Sequence, residues 1–131
     1  MKGFVDDIED LTETNTDFRR VLYTGKHLQL VLMSLKPGEE IGEEVHDDHD
    51  QFFRIEEGHG EVWIDGKRTT IKGDDGIIVP AGATHNVINT GVKPLKLYTL
   101  YGPPDHREGV VHATKAAAAA DDEHFDGTTT E

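Results

Sequence analysis

From Phe18 to Tyr101 the chain alternates short β-branched or aromatic segments with Gly, Pro, Asp and Asn, a spacing that predicts an all-β sandwich or barrel. The segments expected as strands are 19–24, 28–35, 41–46, 51–56, 60–64, 67–71, 77–79, 84–89 and 96–101. Two turns are legible between them. Ile64-Asp65-Gly66-Lys67 is an Asp-Gly hairpin whose central pair tolerates positive φ, and Lys36-Pro37-Gly38-Glu39 sets a Pro-Gly turn.

The ends follow other patterns. Residues 1–17 form an N-terminal arm with Phe4, Ile8 and Leu11 at helix-like spacing, expected to pack on the barrel or on a second subunit. Residues 18–112 make the barrel. Residues 113–131 begin with an alanine run that favours helix. They end in a stretch with one aromatic residue, too little apolar surface to offset the entropy of ordering, so a disordered tail is expected.

Composition narrows the function classes. A length of 131 residues suits one domain with one core. A formal charge of −13 repels phosphate backbones and anionic lipid, so neither nucleic acid nor a membrane surface is an expected partner. No cysteine is present, and a metal site must therefore use imidazole, carboxylate or amide groups. No apolar stretch approaches membrane-spanning length and the first ten residues carry four acids, from which a soluble, cytoplasmic protein is expected.

Candidate chemistry sits in two clusters. In the first, from Gly42 to Gly58, Glu44 and His46 lie two apart on a strand and share a face, while Gln51 opens the next strand and can return beside His46. In the second, from Gly73 to Asn89, Pro80 and Gly82 make a turn and His85 enters the strand after it, able to supply an imidazole from across the barrel.

These stretches resemble the paired motifs of the cupin superfamily, in particular small single-domain cupins of the cupin 2 type. The likeness runs from about Leu28 to Tyr101. Glu44 stands where the first motif has its first histidine, His46 is the second, Gln51 replaces the glutamate and Gly58 is the closing glycine. The second motif is matched by Pro80, Gly82, His85 and Asn89. The resemblance implies a double-stranded β-helix, or jelly-roll, barrel with short helical N- and C-terminal extensions. It also implies one divalent metal ion held by Glu44, His46, Gln51 and His85. Two imidazoles, a carboxylate and an amide oxygen suit Mn, Fe, Ni or Zn and leave positions open for water or substrate.

Around that set, His49 and Asp50 compete with Gln51, because the turn register after His46 is not fixed by sequence. His49 is expected on a solvated acidic loop with Asp47, Asp48 and Asp50. His106 follows Gly102-Pro103-Pro104-Asp105 and is a candidate to line the pocket, whereas His27, His59, His112 and His124 are expected to be solvated. Phe52, Trp63, Tyr98 and Tyr101 are expected in the core or at its rim.

Two functions fit this reading. One is a metal-dependent isomerase or dioxygenase acting on a small polar carbonyl or sugar-like compound, the His-x4-Gln spacing resembling uronate-processing members; its catalytic residue is not identified by the sequence. The other is a non-catalytic binding or sensor protein using the same pocket. Exposed sheet edges make a homodimer the expected assembly.

Overall fold

The computed structural model describes residues Met1–Glu131. A helix α1 (Ile8–Thr14) precedes nine strands: β1 (Arg19–Thr24), β2 (Gln29–Leu35), β3 (Glu44–Val45), β4 (Asp50–Glu57), β5 (His59–Ile64), β6 (Lys67–Lys72), β7 (Gly76–Val79), β8 (Thr84–Asn89) and β9 (Leu95–Gly102). A short strand β10 (Val111–His112) and a helix α2 (Lys115–Ala120) follow. The strands form two antiparallel sheets, ordered β10-β1-β2-β9-β4-β7 and β3-β8-β5-β6, whose inner faces pack together as a jelly roll.

Alternation explains the core. Phe53 and Ile55 on β4, Val62 on β5, Ile77 and Val79 on β7 and Val87 on β8 all point between the sheets. Strand β2 departs from that rule, being buried at every position. The reason is α1, which packs over β2, β4 and β9 on the outer face. Asp7 caps α1 by accepting from the Asp10 amide, and the buried Lys96 Nζ donates to the carbonyl of Asn15 at its far end. The arm thus docks on its own barrel.

Both expected turns are present: Asp65 and Gly66 take φ of 47° and 82°, and Gly38 takes 83° with the Glu39 amide donating to Lys36. The strand expected over 41–46 shrinks to Glu44–Val45. Gly42, at φ 111°, breaks the extended chain, and only an isolated bridge from Glu40 to Ile88 continues the pairing upstream. The two-residue β10 is too short to show a period in the sequence.

The C-terminal segment differs from expectation. Residues after α2 have no regular structure, yet they run back along the barrel on polar ties. Phe125 N–H donates to Asp105, Thr130 N–H to Thr24, and the Glu131 carboxylate accepts from Tyr23 and from the amides of Lys2 and Gly3. Apolar content was the wrong gauge because hydrogen bonds hold this segment.

Those ties predict a pH response. Burial pushes the Glu123 carboxyl up, but hydrogen bonding and charge from His106 and the Arg107 amide outweigh it and hold the group below 4.5. The Tyr23 hydroxyl and two amides hold Glu131 below the same value. A carboxylate depressed in the folded state stabilises above its unfolded pKa and loses that contribution as pH falls through the folded value. Hydrogen exchange should therefore show the Phe125 and Thr130 amides losing protection as pH drops below about 4.5, while β2 and β9 amides stay protected. Simultaneous loss across all of them would mean that the tail is not separately held.

Candidate metal centre

The two sequence clusters meet because β3 and β8 are neighbours. Glu44 lies directly opposite His85 in that antiparallel pair, and the amide of Gly82 donates to the carbonyl of His46 at 2.9 Å. Glu44 Oε2 sits 3.0 Å from His46 Nε2 and 3.8 Å from His85 Nε2. Ligand atoms of the three residues all lie within 4.8 Å of one another.

His85 has the preparation a ligand needs. Its Nδ1 is 3.2 Å from the carbonyl oxygen of Ala83, which can only accept, so Nδ1 carries the proton and Nε2 keeps its lone pair. That Nε2 is buried and has no partner. Gln51, buried on the inward face of β4, also keeps an unsatisfied atom. Its Nε2 donates to Thr99 at 3.0 Å, which leaves Oε1 buried and unpartnered. Buried polar atoms are rarely left in this state. Two imidazoles, a carboxylate and an amide oxygen suit a borderline divalent ion, and the cluster of Glu44, His46 and His85, with the unsatisfied His85 Nε2 in it, fits a metal.

Electrostatics couple the set. Burial raises the Glu44 carboxyl, but the hydrogen bond and charge of His46, with Arg19 and His85 behind it, bring it below its ordinary value. The hydrogen bond to Glu44 lifts His46 above its ordinary value against the effect of burial, and Asp105 adds to the rise. Without metal, the pair is an ion pair in the window between the two groups' unfolded values, 4.5 and 6.5.

His49 is not on a solvated loop. It is buried, with its ring 5.3 Å from that of His46 and its Nε2 3.1 Å from Asp105 Oδ1, leaving Nδ1 without a partner. His46, His49 and Asp105 make a second group of the same tightness, sharing His46 with the first. Asp50 faces outward and accepts from the Ala81 amide at 2.9 Å. His106 does reach the interior, with Nε2 3.2 Å from the Tyr101 hydroxyl and Nδ1 3.0 Å from Glu123. Tyr101 is buried beside His46, and burial pushes its phenol well above the usual range, so it stays neutral.

Asp105 escaped the sequence reading. It lies in a Gly-Pro-Pro loop after β9, and what brings it inward is the buried amide of Gln29, whose Oε1 accepts from the amides of both Asp105 and His106. Gln29 Nε2 in turn donates to the His106 carbonyl at 2.8 Å and to Thr24. His112, expected in solvent, is likewise buried, bonded to Arg19 and Asp121.

A family model described as the cupin domain matches residues 31–101, more than half of the chain. The chain belongs to the cupin family. This cupin is 52% identical over 126 residues to the uncharacterized protein YrkC of Bacillus subtilis, covering 91% of this chain and 67% of that one. The crystal structure of BH2720 from Bacillus halodurans superposes with a TM-score of 0.90 at 49% identity, covering 92% of the cupin and 96% of that chain. A predicted oxalate decarboxylase from Thermotoga maritima follows at 27% identity and a TM-score of 0.57, covering 60% and 68%.

Proposed function

We propose that this cupin binds one divalent ion of the Mn, Fe, Ni or Zn class through Glu44, His46, Gln51 and His85, and acts on a small polar carbonyl or sugar-like compound by isomerisation or oxidation. The observation that carries the reading is His85, whose buried Nε2 lone pair faces Glu44 and His46 with no hydrogen bond of its own. Likeness to a protein described as a predicted oxalate decarboxylase supports a small-molecule ligand over a macromolecular one.

A bound divalent ion would supply Lewis-acid polarisation of a carbonyl or enediol oxygen. The proton-transfer role falls to Asp105, whose Oδ1 lies 3.1 Å from His49 Nε2 and 3.8 Å from His46 Nδ1. His49 orients that carboxylate, Gln29 fixes the backbone that carries it, and neutral Tyr101 closes the apolar side. A non-catalytic binding role uses the same pocket and differs in lacking proton transfer.

Two measurements separate these outcomes. Elemental analysis of protein purified without an affinity tag should find about one such ion per chain; a value near zero would overturn the metal reading. With metal present, methyl protons of pyruvate should exchange in heavy water, and Asp105→Asn should slow that exchange about 100-fold. Bound metal without any exchange would replace the enzyme by the binding protein.

A further inference from the structure

Arg19 opens β1 beside the solvent-exposed Arg20 and alternates with it, so its side chain turns inward. It is 8% exposed, and its Nε is buried with no hydrogen-bond partner. Its one polar side-chain contact runs from Nη1 to His112 Nδ1 at 3.4 Å. A guanidinium only donates, so His112 keeps its own proton on Nε2 and passes it toward Asp121 Oδ2 at 2.9 Å. The Phe18 ring lies 5.4 Å from the guanidinium carbon. These contacts fix the side chain and leave the buried Nε without a partner.

Each carboxylate at this place already has a partner. Glu44 is on His46 at 3.0 Å, Glu123 is on His106 at 3.0 Å, and Asp121 is on His112. None forms a salt bridge with Arg19, whose charge reaches the Glu44 and Glu123 carboxyls only from a distance, in a chain that carries 26 acidic residues. A buried guanidinium without a direct carboxylate partner is costly, and a fixed guanidinium with a free donor matches the geometry of a carboxylate. Phe18, Arg19, Glu44, His106, Ala118 and Glu123 line a cavity of ≈ 270 Å³ beneath α2. Glu44 belongs both to this cavity and to the candidate metal centre.

We propose that Arg19 is the receptor for the carboxylate of a small acidic carbonyl compound, held in the cavity beneath α2 with its carbonyl end toward Glu44. The carboxylate would accept from Nη2, which neither bonds His112 nor is fully enclosed, with Nε–H alongside it sensing the contact, and His112 and Asp121 position the guanidinium. The placement of the carbonyl end rests on the metal reading above; the carboxylate contact does not.

The test titrates pyruvate into nitrogen-labelled full-length protein, both metal-loaded and chelator-treated, and follows the Arg19 Nε–H resonance. The expected result is a saturable shift in both forms, with methyl pyruvate, which lacks the charge, leaving the resonance unmoved. Arg19→Gln should weaken pyruvate binding about tenfold or more with metal content unchanged, and Arg19→Lys should recover part of the loss. An unmoved Arg19 resonance, or equal pyruvate affinity in wild type and Arg19→Gln, overturns the proposal. Because the resonance is read in the wild type, a variant that fails to fold does not rescue the idea. If the protein holds no metal yet pyruvate still moves Arg19, only the metal reading falls; if metal is bound and Arg19 is indifferent to pyruvate, only this proposal falls.

Discussion

The His46→Ala/His85→Ala variant should leave purification without metal, whereas His49→Ala should keep it. His46 and His85 contribute from the end of β3 and from β8, their ring centroids 5.6 Å apart, and neither ring is replaceable by a neighbour in the Glu44 group. Loss of outer-shell partners typically costs metal sites roughly 10–100-fold in affinity, and removing two of four donors should exceed that by a wide margin. His49 offers the sharper comparison. Its Nε2 is committed to Asp105, so its removal should fall within the outer-shell range. Elemental analysis of these proteins, with His85→Ala alone beside them, decides. If His49→Ala empties the site while His85→Ala alone retains metal, the ion sits with His46, His49 and Asp105 instead, and the assignment of Glu44, Gln51 and His85 is wrong.

Gly58→Ala should destabilise the barrel by about 3–4 kcal/mol, whereas Gly82→Ala should cost only about 1–2 kcal/mol. Both glycines have positive φ, 100° and 88°. They differ in what surrounds them. A Cβ on Gly58 would stand 2.7 Å from the carbonyl oxygen of Pro94 and 3.0 Å from the Cα of Leu95, both backbone atoms at the start of β9. Leu95 is fully buried, so this backbone has no slack with which to move aside. A Cβ on Gly82 would meet nothing within 4 Å. The closing glycine of the first motif is thus required by close approach as well as by conformation, and the motif turn glycine by conformation alone. Urea unfolding of the two variants measures the difference; equal losses would show that the Pro94 contact does not constrain Gly58.

Much of the site follows from local rules. Glu44 and His46 share a face because side chains two apart on extended chain must, and His85 enters just past a Pro-x-Gly turn. Those rules act over a few residues, which is why they can be read from the chain itself. They also made one false extension: a strand through 41–46 ignored the positive φ that Gly42 adopts.

What local rules do not reach is which loop closes over which strand. Asp105 is inside because Gln29, more than seventy residues earlier, binds its amide, and His49 is inside because Asp105 is there to accept from it. His112 and Arg19 are buried by a returning C-terminal segment held by hydrogen bonds, which hydrophobicity does not register.

The sequence by itself therefore determined the strand plan, the two turns and the shared face of Glu44 and His46, since each depends on backbone geometry within a short span. Tertiary structure alone decided the meeting of that pair with His85 across β3 and β8, the inward turn of His49, the arrival of Asp105 and the burial of Arg19 without a salt bridge. Those depend on contacts between segments far apart in the chain, where a polar residue's fate is set by the partner it finds rather than by its own chemistry.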